Sequence, residues 1–340
     1  MNHRRRVVRS TGWRGPTACG LALVSSCLLA GCGSGSAAAS STTPTAYVAT
    51  GANVVNPGDS VAVVDTMTSK AQTPISTGTL PTGLAVTPDG RDLLVANKGD
   101  DTVAEVDVES GHVVRRATVG LEPDAVAVTP DGAEGLIANF GDDTVTPLAL
   151  PSFRVGRPIP VGRQPVALAV SPAGNLALVS DYQDGTVTPI ELPSLTAGTP
   201  VAAGTEPDAL YITPDGRTAL VADFETSQVT TIDLRSLTPA AVIPVGGNPT
   251  GIAGSRSSTT VYVSGGAAVT PISPGTNRTG AQIGIGTIAE GLALSKAGTS
   301  AWVCGGDGTL VRVNLASRSV VGHVVVGGHP SAVVIANQRG

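Results

Sequence analysis

One phrase returns along this chain at intervals of 42 residues, and that period constrains the fold more than any other feature. It is read from a recurring proline: PTGLAVTPDG begins at Pro81, PDAVAVTPDG at Pro123, PVALAVSPAG at Pro165 and PDALYITPDG at Pro207. The phrase then drifts through copies that start at Pro249, Ala289 and Pro330, so the anchors step by 42 four times, then by 40 and by 41. Such a period means one supersecondary unit copied many times, and the fold can be argued from a single copy.

In the copy that begins at Pro81, the apolar run Leu84-Ala85-Val86 closes on Thr87-Pro88-Asp89-Gly90, a sequence suited to a type I turn. A second apolar run, Leu93 to Ala96, leads into the polar reversal Asn97 to Asp101. Thr102 to Val108 alternates apolar and polar side chains, the period-2 sign of a half-buried strand. After Glu109-Ser110-Gly111, residues His112 to Val119 form a β-branched fourth run. Each repeat is therefore four strands joined by tight turns, the size and composition of a propeller blade.

The two ends of the array complement one another. Tyr47-Val48-Ala49-Thr50 aligns with a second strand, and Val61 to Asp65 and the run ending at Gly78 supply the third and fourth. The chain closes on Pro330 to Ala336, which is a first strand alone. A ring shut by sharing a blade between the termini leaves no exposed sheet edge there. The expected fold is all-β, a seven-bladed β-propeller of four-stranded blades closed by a composite blade from the N- and C-terminal segments.

The phrases Tyr47-Val48-Ala49-Thr50, Tyr262-Val263-Ser264-Gly265 and Leu94-Val95-Ala96-Asn97 resemble the YVTN β-propeller repeat family of bacterial and archaeal surface proteins. Gly99-Asp100-Asp101-Thr102-Val103 and Gly141-Asp142-Asp143-Thr144-Val145 support the resemblance, which spans residues 47–340. Ser255 to Ser258 and Ala289 depart from the pattern, so the fifth and sixth blades are expected to be less regular. The resemblance implies a seven-bladed propeller at the cell surface and no single activity.

Residues 1–31 read as a lipoprotein signal peptide. Arg4, Arg5, Arg6, Arg9 and Arg14 make a basic stretch, and Ala18 to Ala30 is apolar but too short to span a bilayer. Leu29-Ala30-Gly31-Cys32 resembles a lipobox, which implies that Cys32 is acylated, for example with palmitate, and becomes the mature N-terminus. Arg4-Arg5-Arg6-Val7-Val8 leaves twin-arginine export open beside the general route. Residues 32–46 are a small-residue, flexible tether, and 47–340 the propeller. The expected location is the extracytoplasmic face of the cell membrane, held by the N-terminal lipid.

Removal of residues 1–31 leaves 16 basic and 26 acidic side chains, a balance that disfavours nucleic acid. Of four cysteines only Cys32 and Cys304 would survive processing, and Cys304 takes a second-strand position held elsewhere by Ala96, Ala138 and Ala222, as a small buried thiol would. Aromatic residues make up only 3% of the chain, so Val, Leu, Ile and Ala must fill the core. Trp302 falls at the second-strand site of Leu94, Leu136, Leu178 and Leu220 and is read as core.

His112, His323 and His329 do not converge in this pattern, and no haem, phosphate or nucleophile motif occurs in a suitable context, so no metal and no cofactor are expected. One face is more pointed. The 42-residue spacing aligns Asn97, Asn139, Asp181 and Asp223 where the loop between the second and third strands begins. One position on it aligns Lys98, Phe140, Tyr182 and Phe224, which places aromatic residues on three consecutive blades beside Asp181, Asp223 and Glu225. Just after each anchor, Thr82, Asp124, Val166, Asp208, Thr250, Glu290 and Ser331 should ring the channel mouth. The candidate ligand-binding residues are Phe140, Tyr182, Phe224, Asp181, Asp223, Asp124, Asp208 and Glu290. The leading expectation is a binding or scaffolding module for a protein, peptide or glycan. The alternative is an exported hydrolase or lyase, or a subunit of one, that uses the acidic channel with a divalent cation. A structural envelope protein is a third reading.

Overall fold

The computed structural model describes residues 44–51, 58–255 and 259–336. The basic segment, Cys32 and nearly all of the expected tether lie outside the described residues. Among those described there is no helix, and the strands form seven antiparallel sheets arranged as a seven-bladed propeller. Blade one is typical, with strands Pro81–Val86, Asp92–Asn97, Thr102–Asp107 and His112–Thr118 paired in that order. Blades two to six start in turn at Pro123, Pro165, Pro207, Pro249 and Ala289.

The composite blade closes the ring. Thr45–Ala49 pairs on one side with Ser60–Asp65 and on the other with Ala332–Ala336, in a register that sets Thr45 opposite Ala336 and Ala49 opposite Ala332. The strand begins at Thr45, two residues ahead of the boundary read from the sequence.

Each pair of neighbouring blades encloses one apolar cluster, seven in all, and this follows from alternation in the second strand. Leu93 and Val95 pack towards the composite blade, whereas Leu94 and Ala96 pack towards blade two. Both faces of each sheet are thus buried between neighbours, and small aliphatic side chains suffice. Trp302 is the largest buried side chain, at 1% exposure, in the cluster between blade six and the composite blade. Cys304 lies in the same cluster, and burial pushes its thiol pKa up.

The turns between the first and second strands obey the expected chemistry. Gly90 donates its N–H to the Thr87 carbonyl at 2.8 Å, with Gly90 at φ +74°, and the Thr87 hydroxyl donates to Asp89 at 2.7 Å. Thr129 with Asp131 and Thr213 with Asp215 repeat the pattern. These turns and those between the third and fourth strands lie on one side of the ring, here the turn face. Loops between the second and third strands, and between blades, lie on the other, the loop face.

Two features differ from the uniform unit read from the sequence. In four blades the outer strand is divided into two short pieces, as in Arg154–Val155 and Ile159–Pro160. Three of these blades carry a proline in the third strand, Pro147, Pro189 or Pro271, whose carbonyl accepts from Gly156, Gly198 or Gly280 in the outer strand at 2.7–2.8 Å. The missing proline N–H faces the same way, so the ladder lacks a donor and the outer strand breaks. Blades with an unbroken outer strand carry Glu105, Thr231 or Arg312 at that position.

The second difference explains the drift in period. Between second and third strands, blade one has the four residues Lys98 to Asp101, blade five only Gly266 and Ala267, and blade six Gly306 to Gly308. The shortening of the repeat to 40 and 41 lies wholly in this loop. Ala289, where other blades have the anchor proline, donates its N–H to the Gly266 carbonyl of the shortened loop at 2.6 Å, which proline cannot do.

Candidate functional site

The loop face is fastened by three rows of acid and amide side chains. The first row is the last residue of the second strand, opposite the anchor in blades one to four: Asn97, Asn139, Asp181 and Asp223, all buried. Asn139 accepts from Gly120 N–H at 3.2 Å and donates to the Thr144 and Thr146 hydroxyls at 2.9 and 2.8 Å. Asp181 accepts from Gly162 N–H at 3.1 Å and from the Thr186 and Thr188 hydroxyls at 2.9 and 2.7 Å. Asp223 accepts three amide N–H groups, from Thr205, Glu206 and Thr226.

The second and third rows explain the repeated Gly-Asp-Asp-Thr phrase. Asp100, Asp142 and Asp184 accept the amides of Thr79, Leu121 and Arg163 in the inter-blade loop that precedes their own blade, at 3.1, 3.1 and 2.7 Å. Asp101 and Asp143 accept the amides of Glu122 and Gln164 in the loop that follows it, at 2.8 and 2.9 Å. Both occupy the left-handed region, φ 56° and 55°, where Asp is among the more tolerant residues. The loops of blades one and two thus clamp both of their flanking connections, whereas in blade three Gly185 stands at the last position and its carbonyl accepts from Ala203 N–H at 2.9 Å. Of the residues singled out from the sequence, Asp181 and Asp223 belong to this clamp and not to the exposed rim. At 0% and 1% exposure, with their oxygens held by the chain itself, they do not reach a ligand.

The next position is the rim. Lys98, Phe140, Tyr182 and Phe224 are half-buried and follow one another on blades one to four. Lys98 Nζ lies 3.0 Å from Asp124 Oδ1 and 4.0 Å from the centre of the Phe140 ring. The Tyr182 hydroxyl donates to Glu206 Oε2 at 2.7 Å. The Phe224 carbonyl accepts from the Asn248 side-chain amide at 3.1 Å.

Inside the rim, the innermost strands of all seven blades line a channel of about 440 Å³. Thr82, Asp124, Val166, Asp208, Thr250, Glu290 and Ser331 all line it, one from each blade. Thr82 and Thr250 donate to the Pro123 and Ala289 carbonyls of the next blade at 3.2 and 3.0 Å. Gly83 allows the innermost strands to approach, since a Cβ there would lie 2.7 Å from the Asp124 carbonyl oxygen.

Burial, reinforced by Asp124, Glu290 and Glu206, raises the Asp208 carboxyl to about 7. Burial also raises Asp124, opposed by the adjacent Lys98 ammonium. Asp181 rises to about 6 through burial, against the hydrogen bonds from Thr188, Thr186 and Gly162. Burial and then the bond to Glu206 hold the Tyr182 phenol above its ordinary value. Among the described residues no three His, Cys, Asp or Glu side chains are grouped so as to hold one metal ion.

The turn face has a cleft of about 620 Å³ between blades one and two, but its buried Glu105 is already paired with Arg115, whose guanidinium also lies 4.7 Å from the centre of the Phe153 ring. The charge of Glu105 is thus matched within the chain. Sequence reasoning passed over two residues of the rim. Lys98 was visible only as the odd member of an aromatic column, and Glu206 as one of two acids, with Glu122, that immediately precede an anchor proline.

No family model matches the chain, and no curated protein does. Solved structures do. A protein of unknown function from Desulfotomaculum acetoxidans superposes with a TM-score of 0.77 at 19% identity, covering 87% of this chain and all of the other. Hydrazine synthase of Kuenenia stuttgartiensis gives 0.69 at 19% identity over 76% of this chain and 92% of its own. Dihydro-heme d1 dehydrogenase NirN, solved in complex with DHE, gives 0.64 at 18% identity over 87% of this chain and 76% of its own. At these identities the likeness is one of fold, and the fold shared is the β-propeller.

Proposed function

We propose that this protein is a lipid-anchored binding propeller on the extracytoplasmic face of the cell membrane, and that its loop face captures a protein, peptide or glycan partner. The observation that carries this reading is the half-buried rim of Lys98, Phe140, Tyr182 and Phe224, set on clamped loops beside an acidic channel mouth. Aromatic side chains held on a rigid base and surrounded by polar groups are the usual anchors of binding surfaces. The lipobox-like Leu29-Ala30-Gly31-Cys32 supports the address. Two of the structural neighbours are enzymes by name, but at 19% and 18% identity no residue role passes from them to this chain.

The test is the triple variant Phe140→Ala, Tyr182→Ala, Phe224→Ala. It is expected to keep its melting temperature within about 5 °C, because the rings are not core; a core Phe→Ala would cost ~3–5 kcal/mol. It is also expected to lose the partner that the parent captures from envelope extracts, identified by cross-linking and mass spectrometry. Retained capture would move the working surface to the turn face. Membrane fractionation of Cys32→Ala checks the anchor, which predicts release from the membrane or a precursor of unchanged mass.

A further inference from the structure

The repeat makes an internal comparison available at the rim. Asp124 follows the anchor Pro123, Phe140 follows the residue paired with that anchor, and Lys98 comes from the preceding blade. Together they form a small cradle, an acid below and an aromatic face beside it, with the Lys98 ammonium 3.0 Å from the acid and 4.0 Å from the ring centre. This is the pairing of charge and π-face by which proteins hold alkylammonium groups.

Two blades further on, the same framework positions carry the same two side chains. Asp208 follows the anchor Pro207, and Phe224 follows Asp223, the residue paired with that anchor. The backbones correspond as well: Phe140 N–H donates to the Glu122 carbonyl at 3.0 Å and Phe224 N–H to the Glu206 carbonyl at 2.9 Å. The position of Lys98, however, is taken by Tyr182, whose hydroxyl is directed to Glu206. No hydrogen bond or ion pair from a side chain of the described residues reaches the Asp208 carboxylate. It is an acid among acids, with Asp124, Glu290 and Glu206 as its charged neighbours.

From this correspondence we propose that the Asp208–Phe224 corner binds the ammonium group of a lysine side chain presented by the partner polypeptide. Two independent observations meet here. One is the acidic channel mouth; the other is a lysine of this chain already seated in the equivalent cradle, its ammonium held between the acid and the aromatic ring. A lysine that docked at Asp208 would be the counterpart of Lys98, with Glu206 and the Tyr182 ring as an additional wall. The acids lie on alternate blades and do not converge on one point, a spacing that suits a monovalent organic cation more than a metal ion. The inference rests on the loop face being the binding surface, and it specifies the group that face recognises.

Calorimetric titration of the intact propeller with acetyl-Gly-Lys-Gly-amide tests it at low ionic strength. The parent is expected to bind about one peptide per chain, and the ε-acetylated peptide to bind roughly tenfold or more weakly. Asp208→Asn should weaken binding by a similar factor. Lys98→Ala frees the original cradle and should raise the stoichiometry to about two, whereas Lys98→Ala with Asp208→Asn should restore about one. Binding that ignores Asp208→Asn, or a Lys98→Ala variant with unchanged stoichiometry, would overturn the proposal. Circular dichroism confirms that each variant is folded. If the peptide fails to bind while the aromatic triple variant still abolishes capture, this inference falls and the loop-face function stands.

Discussion

The two sides of the loop face have been built in different ways. Across blades one to three the connecting loops are four residues long and tied by side chains to both neighbouring connections, by paired Asp residues in blades one and two and by Asp184 and Tyr182 in blade three. Across blades five and six they shrink to two and three residues, glycine replaces the rim side chain, and backbone bonds such as Ala289 N–H to the Gly266 carbonyl take over. The comparison separates what the propeller needs from what the rim adds. Closure and core are complete on both sides, so the long loops are not required for the fold. They raise Lys98, Phe140, Tyr182 and Phe224 above the channel on one side only, and the mouth is left low beside Glu290.

The largest expected effect tests whether the clamps matter to stability. Asp223→Ala removes the buried carboxylate that accepts from three part-buried amides, and the loss of such charge-assisted hydrogen bonds costs about 1.5–3 kcal/mol. Denaturant unfolding should therefore show a loss of at least ~2 kcal/mol. A neutral result would mean that water replaces the carboxylate and that the clamp is only positional.

A second test uses pH. Asp181 and Asp208 have folded-state values of about 6 and about 7, above the ~3.9 of an unfolded Asp. Between those limits the folded chain binds more protons than the unfolded one, so stability conferred by these groups is complete below about pH 4 and declines as pH rises through 6 to 7. Asp208 is faced by Asp124, Glu290 and Glu206, with Lys98 on Asp124 and the Tyr182 hydroxyl nearby; Asp181 is faced by Asp184, the Thr186 and Thr188 hydroxyls and the Gly162 amide. The double variant Asp181→Asn, Asp208→Asn should melt higher than the parent at pH 8 and show a smaller gap at pH 5. Asn is tolerated at 181 because Asn139 makes the same bonds with the hydroxyl donors reversed. Parallel melting curves at both pH values would contradict these shifts.

The smallest effect belongs to the glycine side. Gly266 sits at φ +56°, so Gly266→Ala should cost about 1 kcal/mol of stability, read from the denaturant midpoint, and leave peptide binding at Asp208 unchanged. A change in binding would show that the low side of the mouth is part of the site.

Much of this was written plainly in the sequence. The period identified the unit, and the complementary fragments at Tyr47 and Pro330 announced the shared blade, because a missing strand at one end and a spare one at the other leave a single economical solution. The ring of residues after each anchor was also legible, since the innermost strand has to present one face to the channel. Asp181 and Asp223 were misread because a 42-residue column says that positions are equivalent, not which way they point. The threonines five and seven residues after Asp181, shared with Asn139, were the available sign of an internal network. Three of the four broken outer strands were likewise marked by Pro147, Pro189 and Pro271, whereas the fourth, beside Val63 in the composite blade, breaks without a proline.

The register that closes the ring also sets the face at which the described chain enters and leaves it. Thr45 begins a second strand and Ala336 ends a first strand, and the two are partners at the turn face. The chain therefore enters and leaves the propeller on the side opposite the rim. The rim and the channel mouth, with Asp208 and the aromatic arc, therefore lie on the face that neither of these strand ends occupies. A tag joined after Ala336 would begin at the turn face, away from the channel mouth.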